Sequence, residues 1–227
     1  MANNRANNKT TNKTTKINFE DPDPFQEFFT SARDYIMTHS RQAALIIAAV
    51  VGVFLLVSGW FFYDSNRENK AENMYRTAFM ETDIQEAVKQ YESLIGQYSG
   101  TRAAALASYR LGNFFLREEK FDEAIKYYQS FIKQVADSND LKTLAWGGMG
   151  TAYEMKGDLE QALASYEKAL KTPPVNAFSG ANYQNVARIH EKMENKDKSL
   201  EYYRKALELV NDPGTEILLR RKIALLS

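Results

Sequence analysis

Apolar residues are arranged along this chain in two ways, and each predicts a different kind of helix. From Gln42 to Tyr63 there is no Asp, Glu, Lys, Arg or His. The apolar side chains there fall on every face, so no single stripe can be drawn. About 20 such residues are needed to cross the hydrocarbon of a bilayer. Backbone groups in lipid must be bonded within their own segment, so residues 42–63 are expected to form one transmembrane helix. Trp60 and Tyr63 stand at one end, where amphipathic rings favour the membrane interface. From Asp64 on the pattern changes. Apolar residues recur with a helical period, in runs of one to two dozen residues interrupted by Gly, Pro or Asp.

Those runs repeat. In TLAWGGMGTAYEMKGDLEQALASYEKALKTPP, Trp146, Met149, Gly150 and Tyr153 mark a first helix. Gly157 and Asp158 break it; Ala162, Tyr166 and Ala169 mark a second helix, and Pro174 ends the unit. The preceding stretch offers Leu111, Gly112, Phe115, Ala124, Tyr128 and Phe131 in the same places. The following one offers Tyr183, Val186, Ala187, His190, Ser199, Tyr203 and Ala206. Nearer the apolar stretch, Met74, Tyr75, Ala78, Ala87, Tyr91 and Leu94 make the weakest copy. Met74, Leu111, Met149 and Val186 lie 37, 38 and 37 residues apart.

This pattern resembles the tetratricopeptide repeat, whose period is about 34 residues. Its logic is packing. Gly112, Gly150 and Ala187 let the two helices of a hairpin approach closely, Ala124 and Ala162 do the same from the second helix, and the aromatic rings fill wider gaps. Each hairpin leaves an apolar face that the next one buries. Gly147 and Gly148 have no role legible at this level. The expected fold is all-α: one N-terminal transmembrane helix, then a right-handed tetratricopeptide-like solenoid over residues 64–227, with about four hairpins. Ile217, Leu218, Ile223, Leu225 and Leu226 predict a C-terminal capping helix.

The segments before the span differ from one another. Residues 1–22 open with an Asn, Thr and Lys-rich run that is too polar to offset its ordering entropy, which predicts a disordered tail. Residues 23–40 read as an amphipathic juxtamembrane helix, with Asp23 as its cap, Pro24 in its first turn, and Phe25, Phe28, Phe29, Ala32 and Ile36 on one face. Three placements fit: along the lipid headgroups, on a partner protein, or running on into the span. Within the span Ala44, Ala48 and Gly52 fall four apart, a spacing that allows close helix packing.

Composition narrows the function. The chain has no cysteine, so disulfides, thiol catalysis and Cys-ligated zinc are out. Its two histidines, His39 and His190, are far apart in sequence. No phosphate loop or nucleophile elbow occurs. The expectation is a chain that is not an enzyme, with no cofactor, metal or small-molecule substrate. From Asp64 on there are 23 basic and 24 acidic residues with no basic stripe, which argues against nucleic acid. Lys and Arg counts beside the span do not decide its orientation.

The order of tail, span ending in GWFFYDS, four repeats and PGTEILLRRKIALL resembles the single-span, tetratricopeptide-like ancillary subunit of the bacterial Sec translocation channel. It is closest at Gly59, Trp60 and Tyr63, at 102–115 and at 216–226. The resemblance implies an inner-membrane protein, N-terminus cytoplasmic and repeats periplasmic. The implied partners are Sec channel subunits and a membrane-anchored periplasmic chaperone. A structural subunit of another envelope machine, for secretion or motility, fits the same residues, as does a cytoplasmic adaptor. First helices commonly line the concave face of such solenoids. Arg110 and Glu154, charged and expected to be exposed there, are the candidate protein-binding residues.

Overall fold

The computed structural model describes residues 24–136, 140–172 and 178–227. The tail, the Asp23 cap and the Pro174 stop lie outside these. The described residues form ten α-helices and no strand. The chain divides after Phe61 into two compact units.

In the first unit, α1 (Pro24–Thr38) is followed by α2, which begins at Ser40 and ends at Met80. His39 N–H donates to the Tyr35 carbonyl and Ala43 N–H to that of His39, each at 2.9 Å. Helical bonding thus continues across His39, and the amphipathic segment runs on into the apolar one. Leu56 and Phe62 remain 76% and 77% exposed. This helix is long and apolar enough to cross a membrane. It does not end where its apolar run ends, because 64–80 carry no helix breaker and supply the first helix of the first hairpin.

The second unit stacks hairpins. The end of α2 pairs with α3 (Ile84–Gln97), α4 (Arg102–Arg117) with α5 (Phe121–Gln134), α6 (Asp140–Lys156) with α7 (Leu159–Lys171), and α8 (Ser179–Lys192) with α9 (Lys196–Leu209). Helix α10 (Pro213–Leu226) follows. Side-chain caps fix several starts: the Asp83 carboxylate accepts from the N–H groups of Gln85 and Glu86, Asp158 from Gln161, and Asp212 from Thr215. In three of the four hairpins the turn between the two helices places one residue in the left-handed region. Gly157 fills it with φ +85° in the third hairpin, whereas Glu119 and Glu194 adopt φ 58° and 62° in the second and fourth. A side chain there costs roughly 1–2 kcal/mol.

Leu111, Gly112, Phe115, Ala124, Tyr128, Gly150, Ala162, Tyr166 and Ala169 are buried, while Trp146 and Tyr153 are half-buried. The Trp146 indole is instead covered by the Lys168 ammonium, 4.5 Å from its ring centroid. Gly148 has a packing role after all. A Cβ there would meet the Tyr128 ring carbon Cζ at 2.5 Å, and one at Gly112 would meet Cδ1 of the same ring at 2.8 Å. One tyrosine therefore lies between the glycine faces of two successive first helices, and its hydroxyl donates to Asn113 Oδ1 at 2.8 Å. Tyr166 repeats half of this arrangement against Gly150, whose Cβ would come within 2.8 Å of its ring.

Among the described residues the buried core is unevenly divided. One cluster runs from Ala71 to Ala152, and two of four residues each follow, around Tyr166 and around Tyr203. Helix α10 covers the last with Leu219, but Ile217, Leu218 and Leu225 are 68%, 62% and 73% exposed. The expected cap thus faces solvent with much of the apolar surface assigned to its underside. The reason is register: Ile223 lies 37 residues after Val186, which puts α10 in the place of a further first helix.

Gly148→Ala should destabilise the fold by about 1–3 kcal/mol, because the fully buried Tyr128 ring has nowhere to move. Gly96→Ala is the control. It has open space around its Cβ, and it should be neutral or stabilising by up to about 1 kcal/mol. Thermal unfolding followed by circular dichroism reads both.

Candidate protein-binding surface

Arg110 lies on the outer face of α4 and is exposed. It is held there. Its guanidinium sits 4.8 Å from the Phe79 ring centroid, and Nε donates to the Tyr75 hydroxyl at 3.3 Å. That hydrogen bond is the largest effect on Arg110 and raises its already high pKa, against a smaller opposing effect of burial. Beside it a small depression of about 200 Å³ is lined by Phe79, Ile84, Val88, Phe114 and Arg117. The first hairpin is tied to the second at the start of α4 as well: the Arg102 N–H donates to both Glu68 carboxylate oxygens, at 3.1 and 3.2 Å.

Glu154 corrects the expectation of exposure. It is buried, with 8% of its surface accessible. The Tyr166 hydroxyl donates to its Oε2 at 3.2 Å and the Lys192 ammonium to its Oε1 at 2.7 Å, and Arg188 pairs with the same carboxylate. A glutamate on a first helix reads as solvated in sequence. Here the next first helix, α8, covers it with two cations, so Glu154 joins repeats and is not a free binding residue.

The same arrangement recurs 37 residues on. Glu191 accepts from the Tyr203 hydroxyl at 2.8 Å and from Lys222 of α10 at 2.7 and 3.0 Å. Burial opposes ionisation of Glu191, but Lys222 and Tyr203 together outweigh it and hold the carboxyl below its ordinary range. In both hairpins a carboxylate on the first helix takes a tyrosine from its own hairpin and a cation from the next element. Such charge-assisted bonds are the stronger kind. Sequence reasoning missed them, although the 37-residue spacing of both Glu and both Tyr was there to be read.

His190 is buried and stacks on Tyr202, with ring centroids 5.6 Å apart. Its Nδ1 has no hydrogen-bond partner among the described residues. Burial lowers its pKa first, then Lys198, while Glu167 and Glu201 pull it the other way. In the first unit Ala44 and Ala48 are exposed, and a Cβ on Gly52 would meet nothing within 4 Å. That small-residue row is uncovered by this chain. Among the described residues no three His, Cys, Asp or Glu side chains converge to hold a metal ion.

Residues 102–172 match one tetratricopeptide repeat family model and residues 181–212 another. A stretch of 108 residues is 31% identical to Hsp70-Hsp90 organizing protein 3 of Arabidopsis thaliana, covering 48% of this chain and 18% of that protein. The chain therefore spans less than one fifth of that relative's length. Among solved structures, pilF of Pseudomonas aeruginosa superposes with a TM-score of 0.55 at 16% identity, over 82% of this chain and 86% of that one. MamA from residue 41 on, of Desulfovibrio magneticus RS-1, does so with a TM-score of 0.51 at 18% identity, over 63% and 76%. These likenesses show the fold: an all-α solenoid of paired-helix repeats, of the type through which proteins bind one another.

Two outcomes follow from the geometry. Glu154→Ala should lower stability by about 1–3 kcal/mol, whereas Arg110→Glu should leave the melting temperature nearly unchanged; the same thermal scans distinguish them. For His190, whose folded pKa is depressed, the neutral ring is the stabilised form. Its contribution is present above the unfolded value of about 6.5 and is lost as pH falls through the folded pKa. His190→Tyr, the residue found at the equivalent position 153, should flatten the decline in melting temperature between neutral and mildly acidic pH.

Proposed function

We propose that this chain is a membrane-tethered scaffold, a structural subunit that holds proteins of a bacterial envelope assembly together through its repeats. The observation that carries this reading is a helix whose residues 42–63 are apolar on every face, followed along the chain by a stack of tetratricopeptide-like repeats. In this reading the helix crosses the inner membrane and the repeats lie on its periplasmic side. Confinement to a membrane raises the local concentration of a second, weak contact, so modest affinities suffice. The Arabidopsis relative is named for organising Hsp70 and Hsp90. The match covers only 18% of that relative, so what is carried over here is the bringing together of proteins and not the identity of its partners.

A narrower reading is favoured by the sequence at Gly59, Trp60 and Tyr63, at 102–115 and at 216–226. There the chain resembles the ancillary subunit of the Sec channel. Its partners would then be the channel subunits and a membrane-anchored periplasmic chaperone, and its task the handing on of newly exported chains.

Recovery of the full-length protein in mild detergent, with mass spectrometry of what accompanies it, tests both. A membrane complex is expected in near-stoichiometric amount. Sec channel subunits at the head of the set support the narrower reading; another envelope complex supports the broader one alone. Recovery of no membrane protein above background would sink both. Protease added to spheroplasts should digest the repeats, and their full protection would reverse the orientation.

A further inference from the structure

The first helices of successive hairpins bring equivalent positions to one face. Leu218, Arg221 and Leu225 of α10 lie 37 residues after Ala181, Gln184 and Arg188 of α8. Helix α10 thus extends the row of first helices, and between it and α8 runs a cleft of about 430 Å³. That is the size of a pocket that seats a few large side chains.

The chemistry of the lining is one-sided. Arg188, Arg221 and Lys222 line it, and none of the lining residues is acidic. Lys222 and Arg188 are engaged with Glu191 and Glu154, whereas Arg221 has no ion pair or hydrogen bond among the described residues. Leu218 and Leu225 stand on either side of it in the same wall and remain mostly exposed, at 62% and 73%. A guanidinium between two exposed leucines suits a ligand that is apolar at two points and anionic between or beside them.

We propose that the α8–α10 cleft is a docking site for an acidic, leucine- or phenylalanine-bearing segment of a partner protein. This inference rests on the scaffold reading and gives one of its contacts a chemical class. Arg221 supplies the charge that selects the segment, and Leu218 and Leu225 hold its apolar side chains. A cleft, as opposed to a flat or convex patch, favours a peptide over an anionic membrane surface.

The test uses full-length protein in detergent and a fluorescein-labelled amphipathic peptide of about three helical turns, built from Glu, Asp, Leu and Phe. Fluorescence anisotropy should show saturable binding that weakens with salt. Arg221→Glu and Leu225→Ser, both at exposed positions, should each weaken it about tenfold or more, with unchanged melting temperatures. Arg110→Glu, at the other end of the stack, should leave it intact. Four results overturn the proposal: no saturable binding by the unmodified protein, equal binding of the same peptide with Lys replacing its acids, unchanged binding by both cleft variants, or loss in those variants of association with phosphatidylglycerol vesicles in place of peptide binding. Failure of peptide binding while the membrane assembly is still recovered removes the cleft and leaves the scaffold role standing. Binding through the cleft with no assembly recovered does the reverse.

Discussion

Close approach of two helices at a residue without a side chain is the constraint on which the rest of this fold depends. Tyr128 lies flat because Gly112 and Gly148 leave room on both sides of its ring. A ring so enclosed fixes the distance between its own first helix and the next, and therefore the spacing of the stack. The cost is helix propensity, up to about 1 kcal/mol for a glycine inside a helix. It is offset by burial of an aromatic side chain, an effect of larger size. Dispersion is short-ranged, so even one methyl group at either glycine changes the balance.

Polar bonds act after packing has set the spacing. Glu154 and Glu191 each join a tyrosine of their own hairpin to cations of the next element. Their geometry is possible only because the rings they bond already lie against small residues, Gly150 for Tyr166 and Ala187 at the equivalent place. The carboxylates add orientation to a contact that apolar burial has made. They also couple neighbours: each bond crosses from one structural unit to the next, the sort of nearest-neighbour term that governs linear repeat proteins.

Much of this was legible in the sequence, because a period of 37 or 38 residues with small and aromatic landmarks admits few other folds. The hairpins fall where that spacing puts them, and the weakest copy, around Met74 and Tyr91, still forms one. What was not legible depended on a partner helix. Gly148 looks like a propensity defect until the ring of the preceding hairpin is seen against it. Glu154 looks solvated until α8 covers it. Helix α10 looks like a lid because its leucines are counted without knowing which of them turn inward, and only the register of Ile223 places it among the first helices. The long apolar helix was read from length and uniform apolarity, and its continuation to Met80 was not, because nothing in 64–80 signals either a break or a junction.

The uneven division of the core has a consequence for motion. Among the described residues the large cluster ties the first two hairpins to α6, whereas those around Tyr166 and Tyr203 hold four buried residues each. In a linear stack a thinly packed end can open while the remainder stays folded. Amide exchange should therefore quicken toward α9 and α10, and the first protease cuts within the folded repeats should fall there. A ligand held by that end would slow both, and so would be felt as rigidity several turns away from where it touches.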